Sequence, residues 1–120
     1  MKKKIICFDI DNVICTTKKN LYKKSTPKKN VILEINKLYE AGYFIKLFTS
    51  RYMGRSKENR SIATKKAKTI TTKQLKIWGV KFHELIFGKP SYDVFVDDKA
   101  ISFDKMWLKN LMKSVKRKTL

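Results

Sequence analysis

The 120-residue sequence contains no apolar run longer than a few residues, far short of the roughly 20 that a membrane-spanning helix requires. No membrane insertion is expected. It has two cysteines, Cys7 and Cys15, neither with partners at zinc-ligand spacing, which argues against a metal knuckle or a disulfide framework. Cys7 lies in an apolar run and is expected to be a buried small hydrophobe. His83 is the one histidine, and a packing or surface role is expected for it rather than a catalytic one. Internal repeats and low-complexity linkers are absent, so the sequence reads as one domain over residues 1–120. The opening Met1-Lys2-Lys3-Lys4 has the charged start of a signal peptide, but Asp9 and Asp11 interrupt the apolar core that would have to follow. A cytoplasmic location is therefore expected.

Acidic residues are also scarce: 10 Asp plus Glu face 29 Lys plus Arg, a net charge of +19. Such a field attracts polyanions and speeds capture of phosphorylated substrates. Only Arg51, Arg55, Arg60 and Arg117 are arginines, however, and the lysines are scattered over nearly every segment. Specific phosphate and nucleic-acid sites lean on the arginine fork. Diffuse surface charge is therefore favoured over a nucleic-acid partner.

The elements are legible from pattern. Residues 4–10 (KIICFDI) read as a buried central strand ending in acids. Residues 14–27 are polar and lysine-rich, a loop or small hairpin flap. Val31, Ile35, Leu38 and Tyr39 mark the apolar face of a helix closed by Gly42. Residues 43–48 (YFIKLF) form a second strand, ending in Thr49-Ser50-Arg51. Ile70, Leu75, Ile77 and Trp78 mark a second helix stopping at Gly79. Residues 82–87 and 93–96 read as further short strands, the latter ending in Asp97-Asp98, and Phe103, Met106, Trp107, Leu111 and Val115 suggest a terminal helix. Trp78 and Trp107 are expected as core or interface aromatics. Strands alternating with helices predict an α/β fold, Rossmann-like, with a central parallel sheet in a three-layer sandwich.

Three of these strands end in polar groups: Asp9 and Asp11, Thr49 and Ser50, and Asp97 and Asp98. Ligands of open parallel sheets bind at the carboxyl ends of strands, so the groups are expected to converge. On an extended segment Asp9 and Asp11 point the same way while Ile10 enters the core. One carboxylate can then attack phosphorus and the other can serve as acid and base. Hard oxygen donors of this kind suit Mg²⁺, and Lys89, in Gly88-Lys89-Pro90, supplies a further cation against phosphate.

Together these stretches resemble the haloacid dehalogenase superfamily of phosphatases: Phe8-Asp9-Ile10-Asp11-Asn12-Val13, Leu47-Phe48-Thr49-Ser50-Arg51, Lys89, and Val96-Asp97-Asp98, in that order. Thr72, Gln74, Leu75, Trp78 and Gly79, then residues 84–90 (ELIFGKP) and Asp97-Asp98-Lys99-Ala100, resemble small capless members found with capsule and lipopolysaccharide biosynthesis. The resemblance spans residues 5 to about 101. It implies Asp9 as nucleophile and Mg²⁺ ligand, Asp11 as general acid and base with its carbonyl on the metal, Thr49 and Lys89 on the phosphoryl oxygens, and the Ser50 amide nearby. Asp97 and Asp98 would complete the Mg²⁺ site. Val13 departs from the threonine of many members.

Arg51, Arg55 and Arg60 follow the second motif and are expected at the rim, where they could meet a second anionic group of the substrate. The chain has no room for a large cap domain, so closure by a second subunit, and hence a homo-oligomer, is expected. The expected activity is hydrolysis of a small phosphorylated metabolite, a sugar phosphate or related precursor of surface polysaccharide. The rivals are a nucleotide or nucleic-acid-end phosphatase, which the charge would suit, and a non-catalytic basic binding module.

Overall fold

Alternation of burial along two strands sets the architecture. In the computed structural model, which describes residues 4–116, strand β1 (Ile5–Asp9) pairs in parallel with β4 (Phe44–Thr49), and β4 pairs in parallel with β5 (Glu84–Phe87). Ile6, Phe8, Ile45 and Leu47 are buried on one face, where they join Val31, Ile32, Ile35, Leu38, Leu75 and Leu111 in a single cluster. These last residues come from helices α1 (Lys29–Glu40), α2 (Arg60–Trp78) and α3 (Trp107–Lys116). Trp78 and Trp107 pack against the same cluster. The Phe8 ring meets Trp107 edge-on at 6.1 Å.

The opposite face is exposed at Ile5 and Cys7 and only half-buried at Phe44, Lys46 and Phe48. This corrects two expectations. The sheet order β1-β4-β5 puts β1 at an edge rather than at the centre. Cys7 is exposed, not buried. The structure shows an α/β unit with a small parallel sheet and three helices. The apolar run fits both arrangements, because β-branched residues are favoured on a strand whichever face is covered.

The flap folds as a hairpin: β2 (Cys15–Thr16) and β3 (Thr26–Pro27) pair antiparallel, with a 3-10 turn at Tyr22–Lys24 between them. Asn59 caps α2 by accepting from the Ile62 amide at 3.0 Å, and Gly79 ends the helix in the left-handed region at φ +70°. His83 is a packing residue: its ring stacks 4.5 Å from both Tyr39 and Phe44, and Nδ1 accepts from the Ile45 amide.

Residues 93–96 do not form the expected strand. Val94 and Val96 are 79% and 92% exposed. The preceding residues hold the segment at the carboxyl end of the sheet. The Lys89 amide donates to the Thr49 carbonyl, and Ser91 bonds Glu58 through its amide and its hydroxyl. Residues anchored there cannot also run alongside β1 from its amino end. Met1–Lys3 and Arg117, part of the charge and leader readings, lie outside the described residues.

The fully buried Leu47 predicts a cost of about 3 kcal/mol for Leu47→Ala, from lost transfer energy plus a cavity. Ile77→Ala, at a side chain 71% exposed, is expected to stay within about 0.5 kcal/mol. Urea unfolding midpoints check both.

Candidate active site

The chain leaves β1 through Asp9, buries Ile10 completely, and turns at Asn12, whose φ of +65° suits asparagine. The amides of Val13, Ile14 and Cys15 all reach back to the Ile10 carbonyl, which fixes the loop that carries Asp11. Asp9 and Asp11 thus stand near one another at the carboxyl end of the sheet while Ile10 serves the core, as the spacing predicts.

Asp11 is held by Arg51. Arg51 Nε lies 3.2 and 3.0 Å from the two carboxylate oxygens and Nη2 lies 2.9 Å from Oδ1. Thr17 adds a hydroxyl donor to Oδ1 at 2.5 Å. The guanidinium's other side donates from Nη1 to Thr71 Oγ1 and Gln74 Oε1, at 3.2 and 2.6 Å. Gln74 in turn donates to the Tyr22 carbonyl at 2.6 Å. Arg51 is only 2% exposed. The expected rim role is therefore corrected: this arginine is a buried clamp on Asp11, inaccessible to a substrate's second anion. Arg55 stays exposed, its guanidinium 5.2 Å from both the Tyr22 and Tyr52 rings and donating to the Asn20 carbonyl. Arg60 is exposed, and its side chain lies where a Cβ on Gly88 would collide with it.

Thr17 and Thr71 escaped the sequence reading, and Gln74 entered it only through the resemblance, without a role. A signal was present: Ala63, Ala67, Thr71 and Leu75 form the buried stripe of α2 at intervals of four. A threonine in such a stripe needs a buried polar partner.

Lys89 is brought to Asp9, its Nζ 3.5 Å from Oδ2. Gly88, at φ +91°, turns the chain inward there. Burial pushes the Asp9 carboxyl above its ordinary value by more than the Lys89 ammonium and the Ile10 amide pull it down. Burial pulls the Lys89 ammonium down, but the Tyr92 hydroxyl and the Asp9 carboxylate outweigh it, and its pKa lies above the usual lysine value. Thr49 is buried, its Oγ1 accepting from the Arg51 amide at 3.1 Å. Ser50 follows at the strand end, its carbonyl accepting from Met53.

Asp97 and Asp98 are not brought in. Both are exposed, and Asp97 caps the Lys99 amide at 2.8 Å, a bond that holds its carboxyl below the usual range. Among the described residues no three His, Cys, Asp or Glu side chains gather to hold a metal ion. With Asp9 facing Lys89 and Asp11 engaged by Arg51, this donor arrangement does not fit the implied Mg²⁺.

No family model matches the chain, and no curated protein matches it. Solved structures do. A target protein from Vibrio cholerae superposes with a TM-score of 0.77 at 22% identity, covering 92% of this chain and 98% of that one. The Pnkp1/Rnl/Hen1 complex gives 0.54 at 12% identity, covering 97% of this chain and 35% of that one. A second structure, of the Pnkp1/Rnl/Hen1 RNA repair complex, gives 0.51 at 13% identity, covering 94% and 32%. This chain thus spans about a third of the repair-complex chains. At such identities the likeness shows the fold alone. Among the described residues no helix is long and apolar enough to cross a membrane.

The clamp predicts that Arg51→Met costs about 3 kcal/mol, because it leaves the Asp11 carboxylate without its buried partner. Arg55→Ala, at an exposed site, is expected to cost no more than about 0.5 kcal/mol. Thermal and urea unfolding of the two variants side by side check the contrast.

Proposed function

We propose that this chain is a phosphomonoesterase in which the Asp9 carboxylate attacks a phosphoryl group. The observation that carries this reading is the Asp9–Lys89 pair, 3.5 Å apart, at the carboxyl end of the parallel sheet and beside a second, rigidly held carboxylate. Attack forms an Asp9 oxygen–phosphorus bond and breaks the bond from phosphorus to the leaving oxygen. Asp11 gives a proton to that oxygen. It then takes one from the water that attacks the aspartyl-phosphate, so inorganic phosphate leaves and both acids are restored. Within Asp11, Oδ1 accepts from Arg51 Nε and Nη2 and from Thr17, whereas Oδ2 accepts only from Arg51 Nε. Oδ2 is therefore the oxygen that moves the proton. Lys89 offsets the charge of an anion meeting a phosphate. Thr49 accepts from Arg51 through Oγ1 and keeps its own hydroxyl hydrogen for a phosphoryl oxygen.

A small phosphorylated metabolite, a sugar phosphate or surface-polysaccharide precursor, is the first substrate class, resting on the sequence resemblance. Two free cysteines, one of them exposed, suit a reducing cytoplasm, and the uncovered sheet face at Ile5 and Cys7 supports a homo-oligomer. A second reading, a nucleotide or nucleic-acid-end phosphatase, is supported by the +19 charge and by fold likeness to a component of an RNA repair complex. A screen of sugar phosphates, nucleotides and 3′-phosphorylated oligonucleotides, with Mg²⁺ present, tests the activity and sorts the classes.

In that assay Asp9→Asn is expected to abolish turnover, and Asp11→Asn to slow it by about 10²- to 10⁴-fold. Lys89→Ala is expected to cost on the order of 10²-fold or more, while Lys18→Ala and Lys24→Ala change little. Near-normal activity in the Asp9 or Asp11 variant sinks the assignment.

The pH profile gives a separate check. Asp9 attacks only when ionised, and its pKa is raised by burial. Activity should therefore fall, as pH drops, at a pH above the roughly 3.9 of an ordinary aspartate. In Lys89→Ala the remaining activity should fall at a still higher pH, because the cation that favours the ionised form is gone. A limb unmoved by Lys89→Ala would show that the ion pair does not act on the nucleophile.

A further inference from the structure

Lys89 has a third set of neighbours besides Asp9 and the sheet. Its ammonium lies 5.2 Å from the centroid of the Tyr92 ring and 5.2 Å from that of Phe95. The two rings are 5.0 Å apart and tilted by 39°, and they are 46% and 47% exposed. Large aromatic side chains stabilise a fold by burial, so two of them left half open beside a buried lysine contribute little to the core. The backbone that carries them is not loose at its start. Ser91 is fixed to Glu58 by bonds of 3.0 and 2.7 Å, and the Lys89 amide is fixed to Thr49.

Resting on the reading of Asp9 and Lys89 as the phosphate site, we propose that Tyr92 and Phe95, in contact with each other, form an aromatic platform on which a nucleobase stacks. The phosphate ester taken at Asp9 then belongs to a nucleotide or to the end of a nucleic-acid strand. A phosphate bound against Lys89 leaves its ester substituent beside these rings, one ammonium's reach from the reacting carboxylate. A flat base has a π-face to offer them, and such stacking tolerates any base. A bare sugar phosphate would instead need free carboxylates and amides for its hydroxyls, and Ser91, next to Tyr92 in the chain, is already engaged by Glu58. The chain's net charge of +19 favours a ligand bearing phosphate.

The test compares ligands on the intact chain by equilibrium binding to Asp9→Asn, which holds ligand without turnover, with inorganic phosphate binding to the unaltered chain as reference. Ribose 5-phosphate, adenosine 5′-monophosphate, adenosine 3′-monophosphate and a 3′-phosphorylated trinucleotide are the probes. At least one base-bearing probe is expected to bind roughly 5-fold or more tighter than ribose 5-phosphate, the low end of one base stacked on aromatics. Tyr92→Ala with Phe95→Ala should erase that ratio, and Tyr92→Phe should retain it. A mononucleotide as tight as the trinucleotide points to free nucleotides, whereas a tighter, steeply salt-dependent trinucleotide points to strand ends. Equal affinity for ribose 5-phosphate and every base-bearing probe overturns the platform and leaves the phosphatase reading standing, as does a preference that survives the double variant. Failure of inorganic phosphate to bind, or binding indifferent to Lys89→Ala, overturns the phosphate site and the platform with it.

Discussion

The Arg51 guanidinium is the joint on which the site hangs. Its Nε and Nη2 face Asp11, its Nη1 faces Thr71 and Gln74 on α2, and Gln74 carries the link on to the carbonyl of Tyr22 in the flap. One buried cation thereby ties the end of β4, the loop after β1, the flap and the long helix together. A lysine could not do this, because an ammonium is a point charge without the planar fork that meets a carboxylate and two more acceptors at once. Burying the guanidinium is tolerable only because Asp11 neutralises it and its donors are all met. The same bonds that stabilise Arg51 restrict Asp11 to one orientation, so the fold's polar joint and the placing of the proposed acid and base are a single arrangement.

Much of this was legible in the sequence where local pattern decides the outcome. The three helices, the first two strands and the inward Ile10 follow from periodicity, turn residues and the two-residue repeat of a strand. Gly79 ends α2 in the left-handed region as a C-terminal glycine should. The failures share a cause: each depended on a partner distant in sequence. The apolar run 4–10 says that β1 is a strand but not whether it lies at an edge or whether its second face is covered, so Cys7 was misplaced. Arg51 looks like a rim residue until Thr71 and Gln74, 20 and 23 positions on, are set against it. Residues 93–96 have strand composition, yet a strand exists only where another strand accepts its backbone bonds.

That last segment also separates what the resemblance implies from what the geometry shows. Four acids suggest a cation site by sequence order, but two of them, Asp97 and Asp98, stand exposed, tethered by the anchoring of Lys89 and Ser91. The charges that do meet are Asp9 with Lys89 and Asp11 with Arg51. Each carboxylate faces one cation of its own, and the two pairs differ in kind. The first is partly open and joined by a single contact, 3.5 Å long, so a ligand can enter it. The second is forked and short around a buried guanidinium, so a ligand cannot part it, while the Asp11 carboxylate itself stays 20% exposed.

This difference decides which cations matter in a chain with 29 of them. Exposed lysines act through water and salt, and beyond a Debye length of about 8 Å their influence on a given carboxylate is largely screened. Their sum can raise the local concentration of an anionic ligand without favouring one step of its reaction over another. A buried ammonium in contact with the proposed nucleophile works in a less polarisable surrounding, where the same charge interacts several times more strongly. In the proposed reaction it also has a fixed position from the start, so no solvent would have to reorganise as charge moves onto phosphorus. Lys89 satisfies both conditions because Thr49 and Gly88 fix its backbone and the rings of Tyr92 and Phe95 flank its ammonium. In the proposed reaction the net charge therefore bears on capture, and the placement of one lysine bears on chemistry.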